Sequence, residues 1–224
     1  MSAGSEPSGN RPETGVTPDQ FAADMSGIGQ DVSRETLSAL ETYAALLVKW
    51  QARINLVAKD SLADLWRRHF LDSAQLVPLL PPGEAPITDL GSGAGFPGLV
   101  LAILTGRQVH LVDSDQRKGA FLLEAARMTG AKAKIHTTRI EAANAWSAEI
   151  VTARALASLD QLLDWAAPFL TPTTTCLFLK GAKAEDELTE AARFWTMETE
   201  RRPSLTDSSG VILKLTHLQR RGSA

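Results

Sequence analysis

The sequence predicts an α/β fold, with one mostly parallel sheet, helices on both of its faces and a terminal antiparallel hairpin. Short apolar runs alternate with helical patterns from residue 87 onwards, as is typical of a parallel sheet. A glycine-rich turn joins the first apolar run to the next helical pattern. The last two strand-like runs are joined by a short turn at residues 207–210, which predicts an antiparallel pair. A chain of 224 residues has room for one such domain and an accessory segment.

The first 82 residues lie outside this alternating pattern. Residues 1–17 are rich in Ser, Gly, Pro, Glu and Thr, a composition typical of a disordered tail. Cap and periodicity signals then predict helices starting at Thr17-Pro18, running from Ser33 to about Trp50, and forming a pair from about Ser61 to Leu80. We therefore expect an N-terminal helical cap over residues 18–82 and the sheet domain over residues 83–224.

The elements of the sheet domain follow in a regular order. Seven strands are expected, the first beginning at Ile87 and the others at 108–112, 133–136, 149–153, 174–179, 194–201 and 211–218. The intervening helical patterns are found at 99–104, 116–129, 158–169 and 184–193, with a short helical turn at 139–143. The final two strands form the expected hairpin.

Composition excludes several classes of protein. A formal net charge of −3 argues against a surface coated in positive charge for sequence-blind nucleic-acid binding, although a local basic patch is compatible with it. One cysteine, Cys176, cannot form a disulfide framework or a cysteine metal cluster, and it fits a reducing, cytoplasmic setting as a small core residue. We expect no membrane association, because no apolar run is long enough to cross a bilayer and the N-terminus lacks the apolar core of a signal peptide.

The glycine-rich turn lies between the first strand and the first helix of the sheet domain. Gly93, Gly95 and Gly98 fit G-x-G-x-x-G, the dinucleotide-binding pattern. Asp89, Gly91, Gly93 and Gly95 also fit D-x-G-x-G-x-G, the loop of S-adenosylmethionine-dependent methyltransferases. Glycines here allow positive φ angles and the close approach of a ligand to the backbone. We expect the helix that follows to present free amide groups to a polar part of that ligand.

An acid follows the second strand, in a position that supports a nucleoside ligand. Asp113 lies where the neighbouring strand ends, so its carboxylate could accept hydrogen bonds from both hydroxyls of a ribose. The glycine-rich turn and this acid together indicate a cofactor that contains a nucleoside.

Seven motifs occur together between about Tyr43 and Leu218. They are Asn55-Leu56, Arg68-His69-Phe70-Leu71-Asp72-Ser73, Asp89 to Gly98, Asp113-Ser114, Arg139-Ile140-Glu141, Arg154 to Leu159, and Leu179-Lys180-Gly181. In order and spacing they resemble the bacterial small-subunit ribosomal RNA guanine-N7 methyltransferases, also called the glucose-inhibited division protein B or RsmG family. Several motifs in the same order are far more specific than one glycine-rich turn.

The resemblance implies a Rossmann-like class I methyltransferase fold that binds S-adenosylmethionine along the carboxyl edge of the sheet and releases S-adenosylhomocysteine. The cofactor positions that it implies, with the glycines of the loop, are Gly91, Gly93, Gly95, Phe96, Asp113, Ile140, Glu141 and Arg154. The sequence departs from the family in a longer N-terminal extension and in Ala142, where relatives often carry a second acid after Glu141.

The implied reaction requires few catalytic groups from the protein. Methyl transfer from a sulfonium is an in-line displacement that depends on orientation. Guanine N7 has a free lone pair at neutral pH, so we predict no catalytic acid or base and no metal. Arg154 and Lys180 end neighbouring strands and are candidate assistants, with a structural salt bridge and a surface position as their alternative roles. His69 and Asp72 share a helix face, and a buried structural network is the preferred interpretation.

The RNA would be held by positive charge. Candidates are found on the cap, after the acid and at a strand end: Lys49, Arg53, Lys59, Arg67, Arg68, Arg117, Lys118 and Lys180. We expect a monomer that acts on 16S ribosomal RNA, either as naked RNA or in a partly assembled small subunit.

Three alternatives remain at this point. The same class of enzyme could act on another RNA or on a small molecule. The fold could serve as a non-enzymatic nucleoside-sensing or ribosome-assembly module. An NAD-binding oxidoreductase would need a further substrate domain after the hairpin.

Overall fold

The structure, a computed structural model, describes residues 16–222. Its strands are β1 (Ile87–Leu90), β2 (Val109–Asp113), β3 (Ala133–Thr137), β4 (Ile150–Arg154), β5 (Thr175–Lys180), β6 (Trp195–Pro203) and β7 (Val211–Arg220). They form one seven-stranded sheet in the order β3-β2-β1-β4-β5-β7-β6. Strands β1 to β5 pair in parallel, and β7 pairs antiparallel with β5 and β6. The predicted sheet and its terminal hairpin are confirmed.

The helices surround this sheet. They are α1 (Pro18–Gly27), α2 (Arg34–Gln51), α3 (Asp72–Ala74), α4 (Gly98–Thr105), α5 (Gln116–Thr129), α6 (Leu159–Ala166) and α7 (Ala184–Ala191). Thr17 and Ser33 cap α1 and α2 through their side-chain oxygens, as expected. Helix α5 has the predicted bounds and ends at Gly130, whose positive φ angle is typical of a helix C-terminus.

The central strands β1, β4 and β5 are buried on both faces of the sheet, since nearly all of their residues are buried and successive residues of a strand point to opposite sides. Ile87 and Ile150 belong to one hydrophobic cluster, which also contains the apolar faces of α4, α5 and the cap. Leu90 and Val151 belong to a second cluster, with α6 and α7. The cap therefore shares a continuous core with the sheet domain.

The cap differs from the prediction between residues 59 and 79. In place of two regular helices the chain forms a 3₁₀ turn (Lys59–Asp64), a π turn (Trp66–Leu71), the short α3 and a second 3₁₀ turn (Val77–Leu79). Nearly every residue from 69 to 76 is buried, so this segment is enclosed on several sides and one-sided helical periodicity does not describe it.

Of the predicted tail, residues 1–17, the structure describes only Val16 and Thr17. Val16 packs against the cap cluster and Thr17 caps α1, while residues 1–15 lie outside the described residues. Within residues 16–222, no helix is both long and apolar enough to cross a membrane.

Candidate active site at the carboxyl edge of the sheet

The glycine-rich loop leaves β1 at its carboxyl end and leads into α4. Gly91, Gly93 and Gly95 have φ angles of +66°, +57° and +96°, a region that side chains disfavour. A Cβ atom on Gly91 would lie 2.4 Å from Leu156, whereas a Cβ on Gly93 would meet nothing closer than 3.9 Å. The loop is thus tightly packed at Gly91 and open at Gly93, as a cradle for a ligand would be.

Asp113 is fixed by the loop that it faces. One carboxylate oxygen accepts a hydrogen bond from the Gly93 amide at 2.8 Å, and the other accepts from the Asp115 amide at 2.9 Å. Each oxygen keeps a second lone pair, and the residue is half-buried. A pair of ribose hydroxyls therefore fits this carboxylate.

Asp89 has a structural role that the sequence did not predict. Its carboxylate is fully buried, and it accepts from the Gly98 amide at 3.2 Å and from the Thr152 hydroxyl at 2.8 Å. Burial raises the pKa of Asp89 to about 6, against the lowering effect of these hydrogen bonds. The expectation that α4 presents free amides to a ligand is wrong at its first turn, because the Gly98 amide bonds Asp89 and the Leu99 amide bonds the Gly95 carbonyl.

The segment after β3 carries two of the expected cofactor positions, Ile140 and Glu141. Ile140 is buried, and Glu141 beside it is exposed. The same connection is anchored by Trp146, whose indole N–H donates to the Thr88 hydroxyl at 2.9 Å. The contacts of Ile140 and Glu141 with a cofactor stay a prediction.

Arg154 ends β4 and points its guanidinium at the cap. Nη2 donates to Nδ1 of His69 at 2.8 Å, and Nη1 lies 3.3 Å from the Asp72 carboxylate. A guanidinium can only donate, so Nδ1 of His69 must be unprotonated and Nε2 carries the proton, which it donates to Ser61 at 2.7 Å. Burial lowers the pKa of His69 to about 3, with the Arg154 and Arg68 charges acting in the same direction.

This geometry confirms the network predicted for His69 and Asp72. It also places Arg154 in the salt bridge that the sequence offered as its alternative role, with 17% of its side chain exposed. A contact between Arg154 and the cofactor stays a prediction.

The Phe96 side chain is buried in the cap. Its ring packs against Tyr43 and Phe70, with centroids 5.3 and 5.5 Å apart, and the Arg154 guanidinium lies 5.1 Å above it. Tyr43, which no sequence motif indicated, also donates its hydroxyl proton to the Ala94 carbonyl. Phe96 and Tyr43 thus hold the loop against the cap.

A cavity of about 1020 Å³ opens beside Arg154, between the cap, the ends of β4 and β5, and the β6–β7 connection. Arg67, Arg68 and Lys180 line it. The Lys180 ammonium lies 2.5 Å from Glu187 and donates to the Ala157 carbonyl at 2.7 Å, with 8% of its side chain exposed. Lys180 is therefore a buried, paired cation and not the surface lysine of the alternative interpretation.

The other predicted RNA contacts lie outside this cavity. They are exposed or half-buried residues on α2, after α2 and at the start of α5: Lys49, Arg53, Lys59, Arg117 and Lys118. Arg117 is paired with Asp115 at 3.1 Å. The structure thus brings together three of the predicted cations, and RNA binding by all of them stays a prediction.

Within the described part of the chain, no group of three His, Cys, Asp or Glu residues is placed to hold a metal ion. Cys176 is fully buried in β5, which confirms its position in the core, and burial raises the pKa of its thiol.

The fold is similar to solved methyltransferases at low sequence identity. M. jannaschii TYW2 in complex with AdoMet is 12% identical with a TM-score of 0.54, over 75% of this chain and 80% of that chain. The ribosomal protein L11 methylase of Lactobacillus delbrueckii subsp. bulgaricus is 13% identical with a TM-score of 0.54, over 65% of this chain and 76% of that chain. These likenesses confirm the predicted class I methyltransferase fold.

Sequence relatives cover most of the chain. The Ribosomal RNA small subunit methyltransferase G of Rhodospirillum rubrum is 54% identical over 205 residues, 92% of this chain and 100% of the relative. The protein of the same name from Rhodospirillum centenum is 58% identical over 191 residues, 85% of this chain and 88% of the relative. The family model GidB, rRNA small subunit methyltransferase G, matches residues 36–216. The chain therefore belongs to the rRNA small subunit methyltransferase G family.

Proposed function

We propose that the protein transfers a methyl group from S-adenosylmethionine to N7 of a guanine in 16S ribosomal RNA. The observation that carries the proposal is the cradle in which Asp113 is hydrogen-bonded to the open glycine loop, directly at the carboxyl edge of the sheet. Membership of the family supports the donor and the class of RNA.

The donor would lie across the carboxyl edge of the sheet. Asp113 would hold its ribose, and the main chain of the loop, including that of Phe96, its methionine part. The remaining contacts would come from Ile140, Glu141 and Arg154. When bound, it supplies an electrophilic methyl group on a sulfonium. The open space above Gly93 and the spare lone pairs of Asp113 fit such a ligand.

The residues of the chain then orient the two reactants. Guanine N7 already carries a lone pair, so no side chain has to remove a proton, and the acceleration comes from alignment of the attacking nitrogen with the methyl group. The cavity beside Arg154 is large enough for a nucleotide, and Arg67 and Arg68 at its lining would pair with RNA phosphates.

The oligomeric state, the compartment and the form of the RNA substrate are also part of the proposal. We propose that the protein works as a monomer in the cytoplasm, on naked 16S RNA or on a small-subunit assembly intermediate. The single cysteine, buried in the core, is consistent with a reducing compartment.

Mass mapping of 16S RNA methylated in vitro tests the function. RNA from a strain that lacks the gene is incubated with the protein and tritiated S-adenosylmethionine, and we expect label on N7 of a single guanine. Label on another atom or on another RNA would show that the acceptor is not guanine N7 of 16S RNA. Tight donor binding without incorporation would favour a non-enzymatic module, and calorimetry with NAD in place of S-adenosylmethionine tests the oxidoreductase alternative.

A further inference from the structure

The connection between β6 and β7, residues 204–210, is tied to the cap through Gln75. The Gln75 side chain is 3% exposed, and its carbonyl oxygen accepts from the Leu205 amide at 2.8 Å. Its amide group donates to the Ser204 hydroxyl at 3.2 Å and to the Asp72 carboxylate at 3.0 Å. A second tie runs from the Thr206 hydroxyl to the same carboxylate at 2.6 Å.

These ties hold an otherwise exposed loop in one place. Leu205, Asp207 and Ser208 are exposed, and nothing in a hairpin turn by itself fixes where such residues lie. Gln75 is 130 residues away in the sequence and is hydrogen-bonded through both of its polar atoms. A buried amide with its partners satisfied is costly to displace, so these hydrogen bonds hold the loop against the cap.

The loop also lines the cavity described above. Ser204, Thr206, Asp207 and Ser208 face the same space as Arg68 and Arg154. The cavity is therefore closed by three elements: the cap, the ends of β4 and β5, and this loop. Its lining combines cations with hydroxyl groups and carboxylates.

The proposed acceptor atom requires such a pocket. N7 of a paired guanine faces the major groove, which in an RNA helix is too deep and narrow for side chains to enter. The target guanine must therefore either lie in an unpaired segment or leave the helix, and in both cases its unstacked base can enter a pocket of its own. Asp207 is held by hydrogen bonds from the Ser209 amide and hydroxyl, both at 2.8 Å, through one oxygen. Its other oxygen can accept from the N–H groups on the Watson–Crick edge of guanine, which leaves N7 unobstructed.

We propose that residues 204–210 form a wall of the pocket that receives the unstacked guanine nucleotide, with Asp207 contacting the base and Gln75 as the positioning residue that holds the wall. This inference rests on the proposed function. It adds a base-reading loop and a residue of the cap that none of the sequence motifs contains.

Two variants test the inference separately. Gln75→Leu keeps the volume of the side chain and removes its hydrogen bonds, and Asp207→Asn changes an exposed side chain without disturbing the core. For each variant we expect kcat/KM for 16S RNA to fall by about tenfold or more, while the dissociation constant for S-adenosylmethionine, measured by calorimetry, stays unchanged. A general loss of structure would weaken donor binding as well, so this split distinguishes positioning from folding.

Thr174→Val is the matched control. Thr174 is 1% exposed and donates to the Ala148 carbonyl at 2.6 Å, at the amino edge of the sheet, away from the cavity. The Thr174→Val variant should methylate 16S RNA with the kcat/KM of the wild type.

The outcomes separate the two proposals. Wild-type protein that binds the donor but methylates no RNA overturns the proposed function and this inference with it. Wild-type activity in both Gln75→Leu and Asp207→Asn overturns the inference alone. If Gln75→Leu also loses donor binding, Gln75 is a structural residue and its positioning role is overturned. Normal activity of Asp207→Asn would overturn the proposed contact between Asp207 and the base.

Discussion

The neutral His69 makes the stability of the protein depend on pH in a way that one substitution can isolate. His69 accepts a hydrogen bond from Arg154 at Nδ1, so a proton on that nitrogen would place two cations in contact inside the cap. The substitution His69→Asn keeps an acceptor oxygen near the position of Nδ1 and cannot be protonated. We expect the variant to be less stable than the wild type at neutral pH and to lose less stability on acidification.

The magnitude follows from the two pKa values of His69. The pKa is 6.5 in the unfolded chain and about 3 in the folded protein, so the unfolded state binds the proton more tightly. The stability contributed by neutral His69 is therefore complete above pH 6.5 and is lost as the pH falls towards 3. At about 1.4 kcal/mol per pH unit, the loss reaches about 2 kcal/mol at pH 5.

Urea unfolding at pH 7.5 and at pH 5.0 measures this loss. Asp89 acts in the opposite direction, because its raised pKa of about 6 removes stability as the pH rises from 3.8. Asp89 titrates in both proteins, so its contribution to the change in the free energy of unfolding cancels when the wild type is compared with His69→Asn. Between the two pH values the wild type should lose about 2 kcal/mol more free energy of unfolding than the variant. An equal change in both proteins would refute the assignment of a neutral, buried His69.

Three further predictions concern the glycine loop and the proposed sites for RNA and donor. Replacing Arg67 and Arg68 together by Ala should weaken RNA binding more than donor binding in paired titrations, because both side chains line the cavity, and an equal loss of both would contradict their role. Gly98→Ala should lower the free energy of unfolding by about 1–3 kcal/mol, since the new Cβ would lie 2.7 Å from Asp89, and an unchanged urea midpoint would count against this packing. Asp113→Asn should raise the donor dissociation constant by about tenfold or more and leave RNA affinity intact. The new NH₂ group replaces an acceptor oxygen that bonds a backbone N–H and, in the proposal, a ribose hydroxyl. Calorimetry that finds full donor affinity would exclude the ribose contact.

Local signals in the sequence were sufficient for the elements of the sheet domain. Helix α5 was predicted over residues 116–129 and has these bounds, which the structure fixes with the Asp115 cap and the left-handed Gly130. The glycine loop and Asp113 could likewise be located from the sequence, because their positions depend on where a strand ends and where positive φ angles are needed. The family followed from motifs spread over most of the chain.

Other features depend on contacts between distant segments, which no local pattern encodes. Local periodicity did not predict the broken cap helix, the burial of the Phe96 ring or the occupation of the first amide of α4 by Asp89. Gln75 had no sequence signal at all, since the residues that it holds in the β6–β7 connection, Ser204 and Leu205, are about 130 residues away. The sequence by itself determined which elements of the sheet domain form and where the glycine loop and Asp113 lie. Tertiary structure decided which polar groups are buried together, because an unpaired polar group in the interior costs too much free energy to remain without a partner.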